Sequence, residues 1–215
     1  MKKSEIDKFI NTLKKEYPDA KCSLDFETPF QMLVAVCLSA QCTDERINKT
    51  TPILFKRCKT VQDFADINII ELEDLIRPCG FYKNKAKNIK LCAKQIIENF
   101  DGEVPQNMED LQTLAGVGRK SANVIMLEAF DNPQGIAVDT HVKRISNLIG
   151  LSNESEPTKI EQDLLKFFPK KYYRDINHLF IWHGRNTCIA RKPKCDSCVI
   201  KQYCKHYKSA NHNAK

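Results

Sequence analysis

Short segments with the spacing of amphipathic helices follow one another from residue 4 to residue 185, each bounded by turn or capping residues. Apolar residues recur three and four positions apart in these segments, and we find no convincing alternation of apolar and polar residues that would indicate strands. Ser4, Thr60 and Asn107 are expected to cap helices, since each precedes such a segment. The pattern predicts an all-α protein.

A Gly-x-Gly turn separates two of these helices, within the run Leu-Ala-Gly-Val-Gly-Arg-Lys-Ser-Ala-Asn at 114–123. The first N–H groups of a helix lack intrahelical partners and the helix dipole favours an anion there, so this hairpin is suited to a phosphate. Gly116 and Gly118, which lack a Cβ, let a sugar–phosphate backbone come close. Lys120 follows as an amine that can act as a nucleophile. The turn alone is also common in proteins that bind no phosphate, and a lysine alone is usually a solvated surface residue.

The density of short helices predicts two helical lobes. Residues 22–132 form one lobe, which contains the helix-hairpin-helix at about 107–130. The N-terminal helix needs a partner for its apolar face, so residues 1–21 join residues 133–215 in the second lobe. Asp139 lies near the start of the second lobe, where it can cap a helix, act in chemistry, or do both.

The ten cysteines fall into two groups. Six are scattered, mostly among apolar residues, and are interpreted as reduced core thiols of a cytosolic protein. The other four have the spacing C-x6-C-x2-C-x5-C and are Cys188, Cys195, Cys198 and Cys204. Four cysteines can bind zinc or an iron–sulfur cluster, and one close pair with two longer arms favours the cluster. Its first role is interpreted as structural, because ligation would hold a loop that has few apolar residues.

The formal net charge of +7 is concentrated at the C-terminal end, where residues 188–215 carry seven basic residues, Lys215 among them, against one aspartate. Arg191, Lys192 and Lys194 lie between the first two cysteines of the cluster. Such a basic segment favours binding to a polyanion, although a solvated basic tail has the same composition. No apolar run is long enough to span a membrane and the N-terminus lacks a secretory signal, so we expect a cytoplasmic protein.

Four motifs in this order resemble the endonuclease III family of bacterial helix-hairpin-helix DNA glycosylases. They are the hairpin run at 114–123, Ala-Val-Asp-Thr-His-Val at 137–142, His-Gly-Arg-Asn-Thr-Cys at 183–188, and the cysteine spacing. Residues 38–44 and 79–86 extend the resemblance over nearly the whole chain. It implies a two-lobed, all-α DNA glycosylase architecture with a C-terminal [4Fe-4S] cluster loop at 188–204.

The resemblance also implies a bifunctional DNA N-glycosylase and apurinic or apyrimidinic site lyase in base-excision repair. Lys120 matches the lysine that attacks C1′ of an oxidised or ring-damaged pyrimidine nucleotide and forms a Schiff base, after which β-elimination cuts the strand 3′ to the abasic site. Asp139 matches the aspartate that assists it. The expected partner is duplex DNA containing damaged pyrimidines or abasic sites, and a monomer is the expected state.

The family fills the hole left by the flipped nucleotide with residues that match Gln41 and Phe81. Phe81 departs from the expected aliphatic residue, which puts the preference for the opposite base in doubt. Ala115 stands where the family commonly has proline, a change from which we expect little functional effect. Ser39, Asp44 and His141 match positions that line the pocket or groove.

Three other hypotheses remain open. The adenine-mismatch glycosylase branch shares the fold and the cluster but lacks a lysine at the position of Lys120. A non-catalytic DNA-binding module would use the hairpin and the basic loop without needing Lys120 and Asp139. A redox sensor would use the cluster but has no need of the glycine hairpin.

Overall fold

Helices make up all the regular secondary structure of residues 1–212, the part of the chain that the computed structural model describes. Within these residues there is no strand, which confirms the all-α prediction. Twelve α-helices follow one another there: α1 (Ile6–Glu16), α2 (Pro29–Leu38), α3 (Asp44–Arg57), α4 (Val61–Asp66), α5 (Ile69–Ile76), α6 (Tyr82–Asn99), α7 (Met108–Leu111), α8 (Arg119–Phe130), α9 (Thr140–Ile149), α10 (Pro157–Phe167), α11 (Tyr173–Asn186) and α12 (Lys205–His212).

The capping residues expected from the sequence are present at two of three helices. The Thr60 side chain accepts the N–H of Asp63 at the start of α4, and the Asn107 side chain accepts a backbone N–H at the start of α7. The expectation for Ser4 is wrong, because Ser4 lies within a 3₁₀ turn at Lys3–Glu5, and Glu5 is the N-cap residue of α1. Helix α12 is not predicted by the sequence, since it is polar and lacks a broad apolar stripe.

The chain divides into two compact units. The hairpin unit is Ser23–Asn132 and contains α2 to α8. Helix α2 is buried on nearly every side and contacts α3, α6 and α8. Its central position follows from its sequence, because a helix that is apolar all round can only be accommodated inside a core.

The cluster unit is Met1–Cys22 together with the chain from Pro133 onward, and it contains α1 and α9 to α12. Helix α1 buries Ile6, Phe9, Ile10 and Leu13, and it contacts α11. Burying four such side chains contributes on the order of 1.5–3 kcal/mol each. This gain explains why the first helix packs with the C-terminal part of the chain.

No helix among residues 1–212 combines the length and the apolar character needed to span a bilayer. Lys215, one of the basic residues counted in the C-terminal segment, lies outside the described residues.

Candidate functional site

The two glycines of the hairpin have different conformations. Gly116 has φ +80°, a left-handed value, and a Cβ placed on it would lie 3.1 Å from Cβ of Asn88. Gly118 is extended, with φ −88°, and a Cβ placed on it would have no neighbour within 4 Å. The protein backbone therefore requires glycine at Gly116, whereas the open space at Gly118 permits a ligand to come close.

Lys120 is the second residue of α8, and its ammonium group is exposed. It forms no hydrogen bond or ion pair with any described residue. Gly118 is the N-cap of α8, and no side chain caps this helix. The N-terminal end of α8 thus presents backbone N–H donors and a helix dipole, with a lysine beside them.

Ala115 takes part in a contact that proline cannot make. Its backbone N–H donates to Oε1 of Gln95 on α6 at 2.7 Å, and the Gln95 amide donates to the carbonyl of Thr113 at 3.3 Å. Since proline has no N–H, this pair of bonds is specific to a chain with a non-proline residue here. Gln95 holds the turn that a proline would otherwise stiffen.

Gln41 and Phe81 are both exposed and both have a left-handed backbone, with φ values of +53° and +47°. Phe81 is 64% exposed, so it is not a core phenylalanine. A bulky residue in this region of φ and ψ is an outlier that the surrounding structure must impose. Gln41, Phe81 and Gly116 line the same surface depression of the hairpin unit, although they are far apart in sequence.

Asp139 caps α9 through one carboxylate oxygen. Its Oδ1 accepts the backbone N–H groups of His141 and Val142, both at 2.8 Å. No hydrogen bond joins Oδ2 to any residue in the described part of the chain. The cap fixes the orientation of the half-buried carboxylate, and Oδ2 can still accept a proton.

The three other family-matched positions have protein partners. Ser39 donates its hydroxyl to the carbonyl of Val36, and Asp44 accepts the hydroxyl of Ser23 at 2.6 Å. His141 lies 3.2 Å from the guanidinium of Arg144, and burial lowers its pKa. Each of these three side chains thus bonds to a protein group in its own unit, which holds the local structure around it.

All four cysteines of the C-terminal motif line one pocket of the cluster unit. Its other walls are partly apolar and include Ile145, Leu148 and Ile149. Burial raises the pKa of each of three thiols, Cys188, Cys195 and Cys198, and raises that of Cys198 to about 11. Binding of a metal group there releases thiol protons, since the thiolate is the ligand.

The donor set of this pocket fits an iron–sulfur cluster. Four cysteine thiols line it, and their order in the chain, C-x6-C-x2-C-x5-C, has one close pair and two longer arms. Cys188, Cys195, Cys198 and Cys204 would hold a [4Fe-4S] cluster here.

A buried hydrogen-bonded chain reaches one of these cysteines from the end of α1. The Tyr17 hydroxyl lies 2.9 Å from Nδ1 of His183 and 2.7 Å from Oγ1 of Thr187. Nε2 of His183 lies 3.6 Å from Sγ of Cys198. Burial lowers the pKa of His183 to about 4, and its ring lies between the Tyr17 hydroxyl and the sulfur of Cys198.

Arg191, Lys192 and Lys194 are exposed in the loop between Cys188 and Cys195, and none forms an ion pair with a described residue. The backbone N–H of Lys194 donates to the carbonyl of Thr187 at 2.9 Å, which closes the loop. The loop therefore presents three positive charges to solvent.

Lys85 has a position that sequence reasoning missed. It is 6% exposed, and its ammonium group donates to the carbonyls of Leu38 and Cys79. The signal in the sequence was weak, because Lys85 stands among other lysines on an amphipathic helix.

Two family models match the chain. The model of the HhH-GPD superfamily base excision DNA repair protein matches residues 34–170, and the iron-sulfur binding domain of endonuclease III matches residues 188–204. The chain belongs to the HhH-GPD superfamily of base excision DNA repair proteins.

The chain is similar to endonuclease III enzymes over nearly its whole length. The chain is 49% identical to endonuclease III of Synechocystis sp., over 94% of this chain and 93% of that protein. It is 38% identical to endonuclease III of Escherichia coli K12, over 96% of this chain and 97% of that protein. A solved structure of a trapped covalent intermediate of endonuclease III with DNA, the estranged-adenine complex, has a TM-score of 0.91 at 40% identity and covers 98% of this chain and 99% of that chain.

These similarities confirm the resemblance seen in the sequence. The chain is a base-excision repair enzyme, a DNA glycosylase and abasic-site lyase that binds DNA, and its cofactor is a [4Fe-4S] cluster.

Proposed function

We propose that this enzyme removes oxidised or ring-damaged pyrimidines from duplex DNA through a Schiff base on Lys120 and then cuts the strand 3′ to the abasic site. The observation that carries the proposal is the exposed, unpartnered Lys120 at the uncapped N-terminal end of α8, directly after the Gly-x-Gly turn. The relative trapped as a covalent intermediate with DNA supports a covalent mechanism.

The proposed chemistry assigns Lys120 the role of nucleophile. Its neutral amine attacks C1′, the bond from C1′ to the damaged base breaks, and the base leaves with the bonding electrons and acquires a proton. The attached nitrogen loses a proton, the C1′–O4′ bond breaks, O4′ takes up a proton, and the nitrogen lone pair forms the protonated imine between Nζ and C1′. A base then removes a proton from C2′, the C3′–O3′ bond breaks, and the 3′ phosphate leaves with the bonding electrons. Water hydrolyses the imine and releases the lysine amine.

Asp139 is proposed as the proton acceptor and as the group that stabilises the developing positive charge on the sugar. The Oδ2 atom serves this role, because Oδ1 is engaged with the N–H groups of α9. A carboxylate that is already oriented by its cap needs little reorganisation during the reaction.

DNA binding is proposed to use three surfaces. The hairpin, with Gly116 and Gly118, holds one phosphate at the N-terminal end of α8. Gln41 and Phe81 enter the duplex where the nucleotide has left it. The loop with Arg191, Lys192 and Lys194 contacts further phosphates, and the cluster supplies the ligation that holds this loop.

The test of the nucleophile is borohydride trapping on a duplex that carries one thymine glycol. The wild-type protein should form a covalent protein–DNA band and Lys120→Ala should not, whereas Lys8→Ala, which changes an exposed lysine on α1, should trap like wild type. Binding of the duplex without trapping by any of the three proteins would contradict the lyase mechanism and favour a binding module.

The test of Asp139 separates its two roles. Asparagine caps helices about as well as aspartate, so Asp139→Asn should keep the stability of α9. The excision rate should fall by about 10²- to 10⁴-fold, the contribution typical of general acid–base catalysis. An unchanged rate would reduce Asp139 to a helix cap.

The test of the substrate class compares lesions in one duplex sequence. Excision of thymine glycol should exceed excision of adenine from an adenine mismatch. The reverse preference would favour the adenine-mismatch branch.

A further inference from the structure

Lys85 is a buried lysine held between two connections of the hairpin unit. Only 6% of it is exposed, although lysine is almost never buried without partners. Its Nζ donates to the carbonyl of Leu38 at 2.9 Å and to that of Cys79 at 2.8 Å. Burial lowers the pKa of Lys85, while the nearby thiols of Cys42 and Cys79 act in the opposite direction.

The two carbonyls belong to the two connections that carry Gln41 and Phe81. Leu38 is the last residue of α2, three positions before Gln41. Cys79 ends the 3₁₀ turn before α6, two positions before Phe81. One ammonium group on α6 therefore bonds to the start of the connection after α2 and to the connection before α6. Gln41, Phe81 and Lys85 line the same surface depression.

Both connections hold a residue in an unfavourable conformation. Gln41 and Phe81 have positive φ values, and Phe81 is followed directly by α6. Such a conformation persists only where surrounding contacts impose it. The Lys85 backbone N–H donates to the carbonyl of Phe81 at 3.1 Å as the first i to i−4 bond of α6, so the ammonium group is what distinguishes Lys85 from another residue here.

We propose that Lys85 is a positioning residue that holds Gln41 and Phe81 together in the orientation with which they enter the duplex. The proposal rests on the proposed function, in which these two side chains fill the space of the flipped nucleotide. Lys85 itself touches neither the substrate nor the reacting atoms in this role. Its loss should impair opening of the duplex rather than formation of the Schiff base.

The first experiment compares two substrates with Lys85→Met, which keeps the length of the side chain and removes the hydrogen bonds. On the thymine glycol duplex, the trapping rate should fall by about 10- to 100-fold, the scale expected from misplaced positioning groups. On a single-stranded oligonucleotide that carries an abasic site, where no duplex must be opened, the rate should stay close to that of wild type.

A matched control lies on the same helix. Lys90 on α6 donates its ammonium group to the carbonyl of Ile67, in the connection between α4 and α5. Lys90→Met therefore also removes a lysine-to-carbonyl bond from α6, but it leaves the connections of Gln41 and Phe81 intact. Lys90→Met should therefore trap on the duplex at the wild-type rate. Thermal unfolding of both variants measures how much stability each loses with its lysine.

A double-mutant cycle shows whether Lys85 acts through the two side chains. The variant with Gln41→Ala and Phe81→Ala should already be slow on the duplex, and adding Lys85→Met should slow it little further. If Lys85→Met lowers the trapping rate of this variant by the same factor as it lowers that of wild type, the proposal is overturned, because Lys85 would then act independently of Gln41 and Phe81.

Two results separate this proposal from the proposed function. The positioning role is wrong if wild type traps on the duplex and Lys85→Met traps there equally fast. It is also wrong if the trapping rate of Lys85→Met falls by the same factor on both substrates. In either case the proposed function stands. If wild type traps on neither substrate, the proposed function itself has failed.

Discussion

The hairpin at 111–121 and the cluster loop at 188–204 are held in place by different means. In the hairpin, Leu111, Leu114 and Val117 are buried, and the side chain of Gln95 bonds to the turn. In the cluster loop, the buried hydrophobic residues are Ile200 and Tyr203, and the four cysteines surround a pocket. The hairpin is formed by the protein's own contacts, whereas we propose that the cluster loop also needs ligation of its four cysteines to be held in place.

This difference separates two ways in which a protein can present groups to DNA. In the hairpin, buried contacts hold the turn in place, and the N-terminal end of α8 has no side-chain cap and can bind a ligand. The cluster loop is rich in cations and has few apolar side chains, so we expect ligation of its cysteines to supply much of its order.

The largest expected effect comes from removing one ligand of the cluster. Cys198→Ser should lose nearly all iron, become sensitive to proteases within 188–204, and bind DNA with a weaker salt dependence, because the basic loop is released. Cys22→Ser, which changes a half-buried cysteine outside the pocket, should keep its iron. Iron analysis, limited proteolysis and salt titration of DNA binding check this. A wild-type iron content in Cys198→Ser would show that Cys198 is not needed to hold the cluster.

The next effect concerns Tyr17, at the end of α1, and its bond to His183, the α11 residue that lies beside Cys198 of the cluster loop. Tyr17→Phe leaves Nδ1 of the buried His183 without its partner, which should lower the free energy of unfolding by about 1–3 kcal/mol. Tyr172→Phe is the matched control, since that hydroxyl bonds the exposed Asp7 and its loss should cost less. Urea denaturation measures both. An equal decrease in the free energy of unfolding for the two variants would mean that the buried bond from Tyr17 to His183 stabilises the protein no more than the exposed bond from Tyr172 to Asp7.

The two glycines test whether the hairpin is truly preformed. Gly116→Ala should lower the free energy of unfolding by about 1–2 kcal/mol, because alanine disfavours the left-handed backbone. Gly118→Ala should leave stability unchanged or raise it by up to about 1 kcal/mol, because its backbone is extended and the space is open. DNA affinity should nevertheless fall for Gly118→Ala, since the added methyl group occupies the space of a phosphate. Unchanged affinity would remove Gly118 from the DNA-binding surface.

The smallest effect is expected at Ala115. Ala115→Pro removes the N–H that Gln95 accepts, and it also restricts the unfolded chain. The two effects oppose each other, so the free energy of unfolding should change by less than about 1 kcal/mol, as thermal and urea denaturation can show. A much larger loss would show that the bond to Gln95 dominates the stability of the turn.

The monomeric state stays a prediction, as do the roles of the individual site residues. Size-exclusion chromatography with light scattering, with and without DNA, tests the first, and the variants above test the second.

The sequence alone predicted the helical class, most helix positions and the cysteine cluster, because these depend on residues close together in the chain. Thr60 and Asn107 cap their helices through residues three positions away. The four cysteines lie within one short segment, so their spacing already indicated a shared ligand. Helix α12 was missed because its polar sequence has no strong local pattern of its own.

Only the tertiary structure decided which distant residues meet. It brought Gln41, Phe81 and Gly116 to one depression, placed the ammonium group of Lys85 between two connections, and joined Tyr17 to His183 across 166 positions of sequence. Contacts of this kind form because burying apolar helix faces brings distant segments together, and the polar groups carried along must then find partners. A lysine that pairs with two distant carbonyls has the same local sequence as one that is solvated, so nothing near it in the chain distinguishes the two.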